Sequence, residues 1–201
     1  MENCFLHALT LRRSVYALNN KIAISEDALL KNLKEAVNNV PSAFNVQSAR
    51  IVVLLKEEHI KFWKTVSAEL SAVILPPEKK QATENKIKTA FASGYGTILY
   101  FEDEQALAAA KNKYPLYQNG FAVWAEQANG MLQYAVWSML ASAGIGASLQ
   151  HYNPLIDKRV KREWNLPDYW SLKAQMPFGG INEQPAEKIL LPIDERVKVF
   201  T

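Results

Sequence analysis

Three short stretches of the chain hold residues of the types and spacing that chemistry needs. The first is Arg12-Arg13-Ser14, two guanidinium forks followed by a hydroxyl. Arginine presents planar, permanently charged donors and suits a phosphate better than lysine does. Two arginines after a helix can equally do no more than offset its C-terminal dipole, worth a few tenths of a kcal/mol to about one. The second stretch runs from Ser42 to Gln47. There the amides of Asn45 and Gln47 each offer both a donor and an acceptor, and the same residues also read as a helix N-cap with solvent-facing amides. The third is Gly144 to Leu155, in which two glycines lead into Ser148-Leu149-Gln150-His151. Backbone held extended between buried elements can meet a flat ligand edge-on.

Other chemistries find less support. No Gly-x-Gly-x-x-Gly or Gly-x-x-x-x-Gly-Lys-Ser/Thr run is present, which argues against a Rossmann or P-loop site. Ser148, His151 and Asp157 are close in sequence, but no nucleophile elbow surrounds the serine. His151 has no second His, Cys or carboxylate at ligand spacing, so no metal is expected. Cys4 reads as a small residue on an apolar helix face.

Periodicity supplies the elements that must position these groups. A short helix is predicted over Cys4 to Leu11, with Phe5, Leu6 and Leu9 on one face. Ser25 opens a second, which Pro41 ends. Ile51 to Leu55 is apolar and largely β-branched, as a strand buried on both faces should be. Helix returns over Glu57 to Leu70, and again from Pro77, where Glu78 to Lys86 is almost wholly polar and only Ile87, Ala90 and Phe91 can dock. Thr97 to Phe101 reads as strand and Gln105 to Lys111 as helix. Pro115 begins the longest helical stretch, so nearly surrounded by apolar residues that burial on most sides is expected. Gly144 suits its left-handed cap. Asn153 and Pro154 suit the N-cap and first turn of a helix running to about Trp164. Leu172 to Phe178 and Arg196 to Phe200 are further strand candidates, and Trp124, Trp137, Trp164 and Trp170 read as core or interface packing.

The totals fit one α+β domain over residues 1–201. A hydrophobic share of 49% with 21% charged is ordinary for a globular protein. The net charge of +3 is small and shows no concentrated basic stripe, so no nucleic acid is expected. With one cysteine no internal disulfide forms, which suggests a reducing compartment. Glu2 and the missing apolar h-region argue against a secretory signal. No run of about 18 apolar residues suggests a membrane span. A cytoplasmic location is expected.

Several blocks together resemble the nitroreductase family. Arg12-Arg13-Ser14 resembles its opening phosphate motif, and Pro41-Ser42-x-x-Asn45-x-Gln47 resembles its Pro-Ser-x-x-Asn-x-Gln segment. Ala92 to Asp103, Trp124 to Gln127, Gly130 to Gln133, Leu149 to Asp157, Gln175 to Gly179 and Glu195 to Phe200 are similar to a narrower branch. That branch includes fungal fatty-acid-repression-mutant-type proteins and small bacterial nitroreductases. The resemblance covers nearly the whole chain. It implies a three-layer α+β fold with a central, mostly antiparallel sheet flanked by helices, assembled as an intertwined homodimer. It also implies FMN at the subunit interface and ping-pong hydride transfer from NADH or NADPH to nitroaromatics, quinones or related acceptors.

On that basis Arg12, Arg13 and Ser14 are expected at the FMN phosphate. Ser42, Asn45 and Gln47 are expected at the pyrimidine edge of the isoalloxazine, and Leu149, Gln150 and His151 along another face or edge. The chemistry is the flavin's, so no catalytic acid or base is expected. The family's C-terminal Lys-x-Arg-x-Pro segment appears as Lys188-Ile189-Leu190-Leu191-Pro192, with Leu190 in place of the arginine. Lys188 fits the pattern, and Arg196 is the candidate to replace the missing cation. A charge on an edge strand is the alternative for Arg196. Two other readings fit the same residues: a flavin-binding stress or regulatory protein with incidental turnover, and an interaction module that has lost the cofactor.

Overall fold

The computed structural model describes residues 4–201; Glu2, used above against a secretory signal, lies outside them. In chain order the elements are α1 (Cys4–Leu11), β1 (Leu18–Asn19), α2 (Glu26–Asn39), β2 (Ala49–Leu55), α3 (Lys56–Val73) and α4 (Pro77–Lys86). There follow β3 (Gly96–Asp103), α5 (Glu104–Lys113), α6 (Phe121–Ser142), β4 (Gly146–Ala147), α7 (Asp157–Glu163) and β5 (Trp170–Ile181). The strands make one antiparallel sheet in the order β1-β5-β3-β2, with β4 also beside β5. Helices cover both faces, which gives the expected α+β layers.

Strand β3 is buried at every position because both its faces meet apolar side chains. The period of two sorts consecutive residues to opposite layers. Ile98 and Tyr100 join Leu29, Leu33, Leu132 and Val136 of α2 and α6, while Leu99 and Phe101 join Phe62, Trp63, Val66 and Val160 of α3 and α7. β5 serves both layers through a bulge. Tyr100 pairs with Ala174 and Phe101 with Leu172, so Lys173 is an extra residue in the ladder. Its ammonium reaches Glu126 of α6 at 2.7 Å. Leu172 therefore packs in the α3 layer and Met176 and Phe178 in the α6 layer. The run Ile51 to Leu55 departs from expectation. It lies in β2 at the sheet's edge, and only Leu54 is buried.

Helix boundaries mostly follow their signals. Ser25 Oγ accepts from the Ala28 N–H at 3.2 Å, α2 buries Leu29 and Leu33, and it stops at Asn39, before Pro41. α4 buries nothing, and the chain then widens into a π turn over Ile87–Phe91 whose ends are buried. Gly144 takes φ +70 beyond α6. Among the described residues no helix is long and apolar enough to cross a membrane.

Four expectations need correction. Pro115 opens only a 3-10 turn, and α6 begins at Phe121. α6 is not buried on most sides, since Val123, Gln127, Gly130, Met131 and Tyr134 form a bare stripe. Asn153 does not cap a helix, because its Oδ1 accepts from Gln175 Nε2 at 3.2 Å; Pro154 to Asp157 is a turn, and α7 starts at Asp157. Arg196 to Phe200 is exposed coil after a 3-10 turn at Ile193–Glu195. A strand needs a neighbour for its ladder, and no strand of the sheet pairs with these residues. Cys4 is also exposed.

His59 and Trp63 of α3 meet Thr97 of β3 in the buried layer. Trp63 Nε1 donates to Thr97 Oγ1 at 2.8 Å, and His59 Nδ1 lies 2.8 Å from the same oxygen. One hydroxyl thus serves both rings of α3. Burial pushes the His59 pKa down to about 4, with the Ala92 carbonyl opposing. An unfolded histidine protonates near 6.5 while this one stays neutral to about 4. Its contribution to stability is full above the unfolded value and is lost as the pH falls from there toward 4. Glu102, raised by burial, acts in the opposite sense at the acid end. We expect His59→Gln to lose about 2 kcal/mol less stability between pH 7 and pH 4.5 than the wild type. Urea unfolding at the two pH values checks this, and equal losses would clear His59 as the titrating group.

Candidate active site

The chain leaves α1 through Arg12 to Ser14 and runs alongside β4. Ser14 bridges Ala147 in parallel, and the Val15 N–H donates to the Ala147 carbonyl at 2.9 Å. That carbonyl also accepts from Trp137 Nε1 of α6 at 3.2 Å. The Arg12 guanidinium lies 4.6 Å over the Trp137 ring and 5.7 Å from Tyr134. Among the described residues its buried Nε has no hydrogen-bond partner and its side chain joins no ion pair. Stacking has fixed the cation while leaving its charge unneutralised.

Arg13 turns another way. Its Nη2 donates to the Ala186 carbonyl at 2.5 Å and so fastens the C-terminal segment beside the site. Lys188 follows two residues later, and both it and Arg196 lie in the exposed tail. Neither takes part in an ion pair among the described residues.

Leu149 to Asn153 is held by one buried residue, Gln175. The backbones of Gln150 and Gln175 exchange hydrogen bonds of 2.7 and 2.9 Å. Gln175 Oε1 accepts from the Tyr152 N–H at 2.8 Å, and its Nε2 donates to Asn153. The Gln150 side chain folds back to Ser148 Oγ at 3.1 Å, while His151 is exposed. Removing the Gln175 amide would leave a tethered N–H and a side-chain acceptor unpaired. Gln175→Leu is therefore expected to cost about 1–3 kcal/mol in chemical denaturation. A variant as stable as the wild type would show that the clamp is dispensable.

Aromatic rings close the space between the two segments. Tyr16 lies 6.4 Å from Phe91, and Phe91 6.3 Å from Tyr152. The Tyr152 hydroxyl is pushed above its usual pKa by burial and then by Tyr16. Tyr16, Tyr152 and Gln175 carry no site signal of their own in the sequence, and Trp137, read there as core or interface packing, instead carries Arg12. The position of Tyr16, two residues after Ser14, was the one available signal.

Ser42 to Gln47 forms a separate structure. The Ser42 hydroxyl accepts from the Gln47 N–H at 2.9 Å and caps nothing in the 3-10 turn Ala43–Asn45. Phe44, Asn45 and Gln47 all have positive φ, at 53, 54 and 52. Arg50 supports the loop from below, donating to the Gln47 carbonyl at 2.6 Å and pairing with Asp103 at 2.9 Å. Both amide residues are exposed. A groove of about 520 Å³ runs from this loop along β2, lined by Val37, Pro41, Ser42, Arg50, Ile51 and Leu132 among others.

Strand register keeps the two halves apart. Gln150 pairs with Gln175, Gln175 with Leu99, and Leu99 with Val52. Three strand spacings and five residues along β2 put Gln47 roughly 20 Å from Gln150. Among the described residues no group of three or more His, Cys, Asp or Glu could hold a metal.

Set against known proteins, this arrangement is that of a nitroreductase-type oxidoreductase fold. The Nitroreductase family model matches residues 9–180, and the chain belongs to the nitroreductase family. The Saccharomyces cerevisiae nitroreductase FRM2 is 27% identical over 189 residues, covering 93% of each chain. Nitroreductase CinD from Lactococcus lactis, solved with chloramphenicol, is 37% identical; the match covers 98% of this chain and all of that one, at a TM-score of 0.89. A Desulfitobacterium hafniense nitroreductase with bound FMN shares the fold at a TM-score of 0.72 and 18% identity, over the full length of both chains.

Proposed function

We propose that the protein is an FMN-dependent oxidoreductase that carries electrons from NADH or NADPH to nitroaromatics, quinones or related acceptors. The carrying observation is Arg12, stacked on Trp137, unneutralised and with an orphaned buried Nε, at the head of the segment that Gln175 holds. A fixed, unpaired guanidinium beside a serine suits a phosphate monoester. FMN bound there would supply hydride chemistry, accepting from the nicotinamide and then giving to the acceptor in ping-pong order. The chain's own residues place and shield. Arg12 and Ser14 hold the phosphate, with Lys188 or Arg196 as further cations, and Arg13 fastens the tail that carries them. The backbone of Leu149 to His151 lies along the ring, and Tyr16 and Tyr152 keep water from one side. The FMN of the Desulfitobacterium neighbour and the chloramphenicol of the Lactococcus protein support this reading.

Asn45 and Gln47 reach the same ring only from a second copy. Roughly 20 Å between Gln47 and Gln150 is more than one tricyclic ring can span, so the site is completed by a homodimer. The bare stripe of α6 supports this, since a Cβ built on Gly130 would meet nothing within 4 Å. A single-domain, cytoplasmic protein fits the lone cysteine.

The test is a titration of apo-protein with FMN, followed by anaerobic reduction with each nucleotide. Protein that takes up FMN and is bleached by NADH or NADPH agrees with the proposal. Protein that binds no FMN overturns it, and bound flavin that neither nucleotide reduces points to a regulatory role.

A further inference from the structure

We propose that the cavity between α3 and α7 is a second small-molecule site, for an amphipathic organic anion: a compact apolar body with one acidic head. The cavity measures about 800 Å³, a size at which small ligands are held. None of the residues assigned above to the flavin lines it, so its occupancy does not depend on the flavin. One wall is a whole face of α3. Lys56, Ile60, Lys64 and Ala68 recur every four residues along it. The helix buries its other side, Phe62, Trp63 and Val66, in the core. A helix face that is only solvated carries polar and charged residues throughout. This one alternates its lysines with Ile60, 38% exposed, and with exposed Ala68, beside buried His59 and Thr65.

The other wall is α7, through Arg159 and Glu163. Arg159 also lines a smaller hollow of about 290 Å³ with Lys158 and Arg162. Three cations of this surface are committed: Lys56 to Glu26, Lys61 to Glu163 and Arg159 to Glu69. Lys64, Lys158 and Arg162 join no ion pair among the described residues, and Glu57 is the one lining carboxylate in the same state. The surplus positive charge calls for an anion. Arg159 Nε, buried with no hydrogen-bond partner among the described residues, stands at the wall the two hollows share. The apolar positions on α3 call for a body that a bare phosphate or sulfate lacks.

The test compares two probes with the same apolar body, 2-naphthalenesulfonate and the uncharged 2-naphthalenemethanol. Each is titrated by calorimetry into FMN-saturated protein. The sulfonate is expected to bind once per chain and more tightly than the alcohol. Ala68→Trp, at an exposed helix position, fills the cavity and is expected to abolish binding of both. Lys64→Glu is expected to weaken the sulfonate about 3- to 10-fold, the worth of reversing one exposed charge, and to leave the alcohol unchanged. Reduction of the flavin by nicotinamide nucleotide is expected to be the same in both variants and in the wild type, which shows that they are folded. A sulfonate that does not bind wild-type protein, or whose affinity survives either substitution, overturns the proposal while leaving the flavin reading intact.

Discussion

Replacing Arg12 by alanine is expected to raise the dissociation constant for FMN about 10- to 100-fold, the worth of a charge-assisted hydrogen bond to a phosphate. The size follows from how the guanidinium is held. Trp137 is itself pinned by its bond to the Ala147 carbonyl, so Arg12 lies on a ring that cannot swing away. The cation is oriented before any ligand arrives, and little side-chain entropy remains to be lost on binding. Among the described residues no carboxylate has to be displaced first. Arg12→Lys keeps the charge but loses the fork and much of the stacking, so it is expected to fall between wild type and alanine. Fluorescence titration of apo-protein measures all three. Equal affinities would remove Arg12 from the phosphate site and, with it, the observation on which the function rests.

Removing residues 185–201 is expected to give a monomer that retains no FMN at micromolar protein. In the isolated chain this segment leaves Ile189 at 96% and Phe200 at 94% exposure, with Leu190, Leu191, Ile193, Val197 and Val199 also bare. So much apolar surface on one tail marks an interface. The open edge of β2, flanked by the 520 Å³ groove, is a matching receptor on the same molecule. An extended tail that pairs with the β2 of a second copy gains a ladder it lacks at home. Losing it would separate Asn45 and Gln47 from the phosphate end of the site. Sedimentation equilibrium with an absorbance scan for flavin checks both consequences. Val199→Asp, which keeps the tail but charges the strand, is expected to weaken the dimer in the same direction. A truncated protein that remains a yellow dimer would show that the tail is a passenger.

The sequence was legible where local patterns decide the outcome. Ser25, Pro41 and Gly144 mark helix ends through their own backbone chemistry, and each acts as expected. β3 could be read from the run Thr97 to Phe101 because both its faces are covered within one chain. Illegible were the features decided by distant partners. Asn153 looked like a cap until Gln175, twenty-two residues on, claimed its side chain. α6 and the stretch Arg196 to Phe200 carry patterns of burial and pairing that a lone chain does not satisfy. Of the candidate site, Ser14 lies beside Ala147, two residues before Leu149, as neighbouring strands can be expected to place them. Arg13 proved to be committed to the tail, and the aromatic walls went unread because rings at positions 16, 91 and 152 share no spacing.

The bulge at Lys173 decides which way the site faces. A β-strand alternates like a two-state counter, and one surplus residue inverts the count for everything beyond it. Upstream, Leu172 looks toward α3; downstream, Met176 and Phe178 look toward α6, which leaves Gln175 on the side where Tyr152 and Asn153 wait. A chain lacking Lys173 would present Gln175 to the wrong layer or turn Trp170 to Leu172 out of theirs. The handedness of the active site is thus written two residues before its clamp, in a lysine whose ammonium pairs with Glu126.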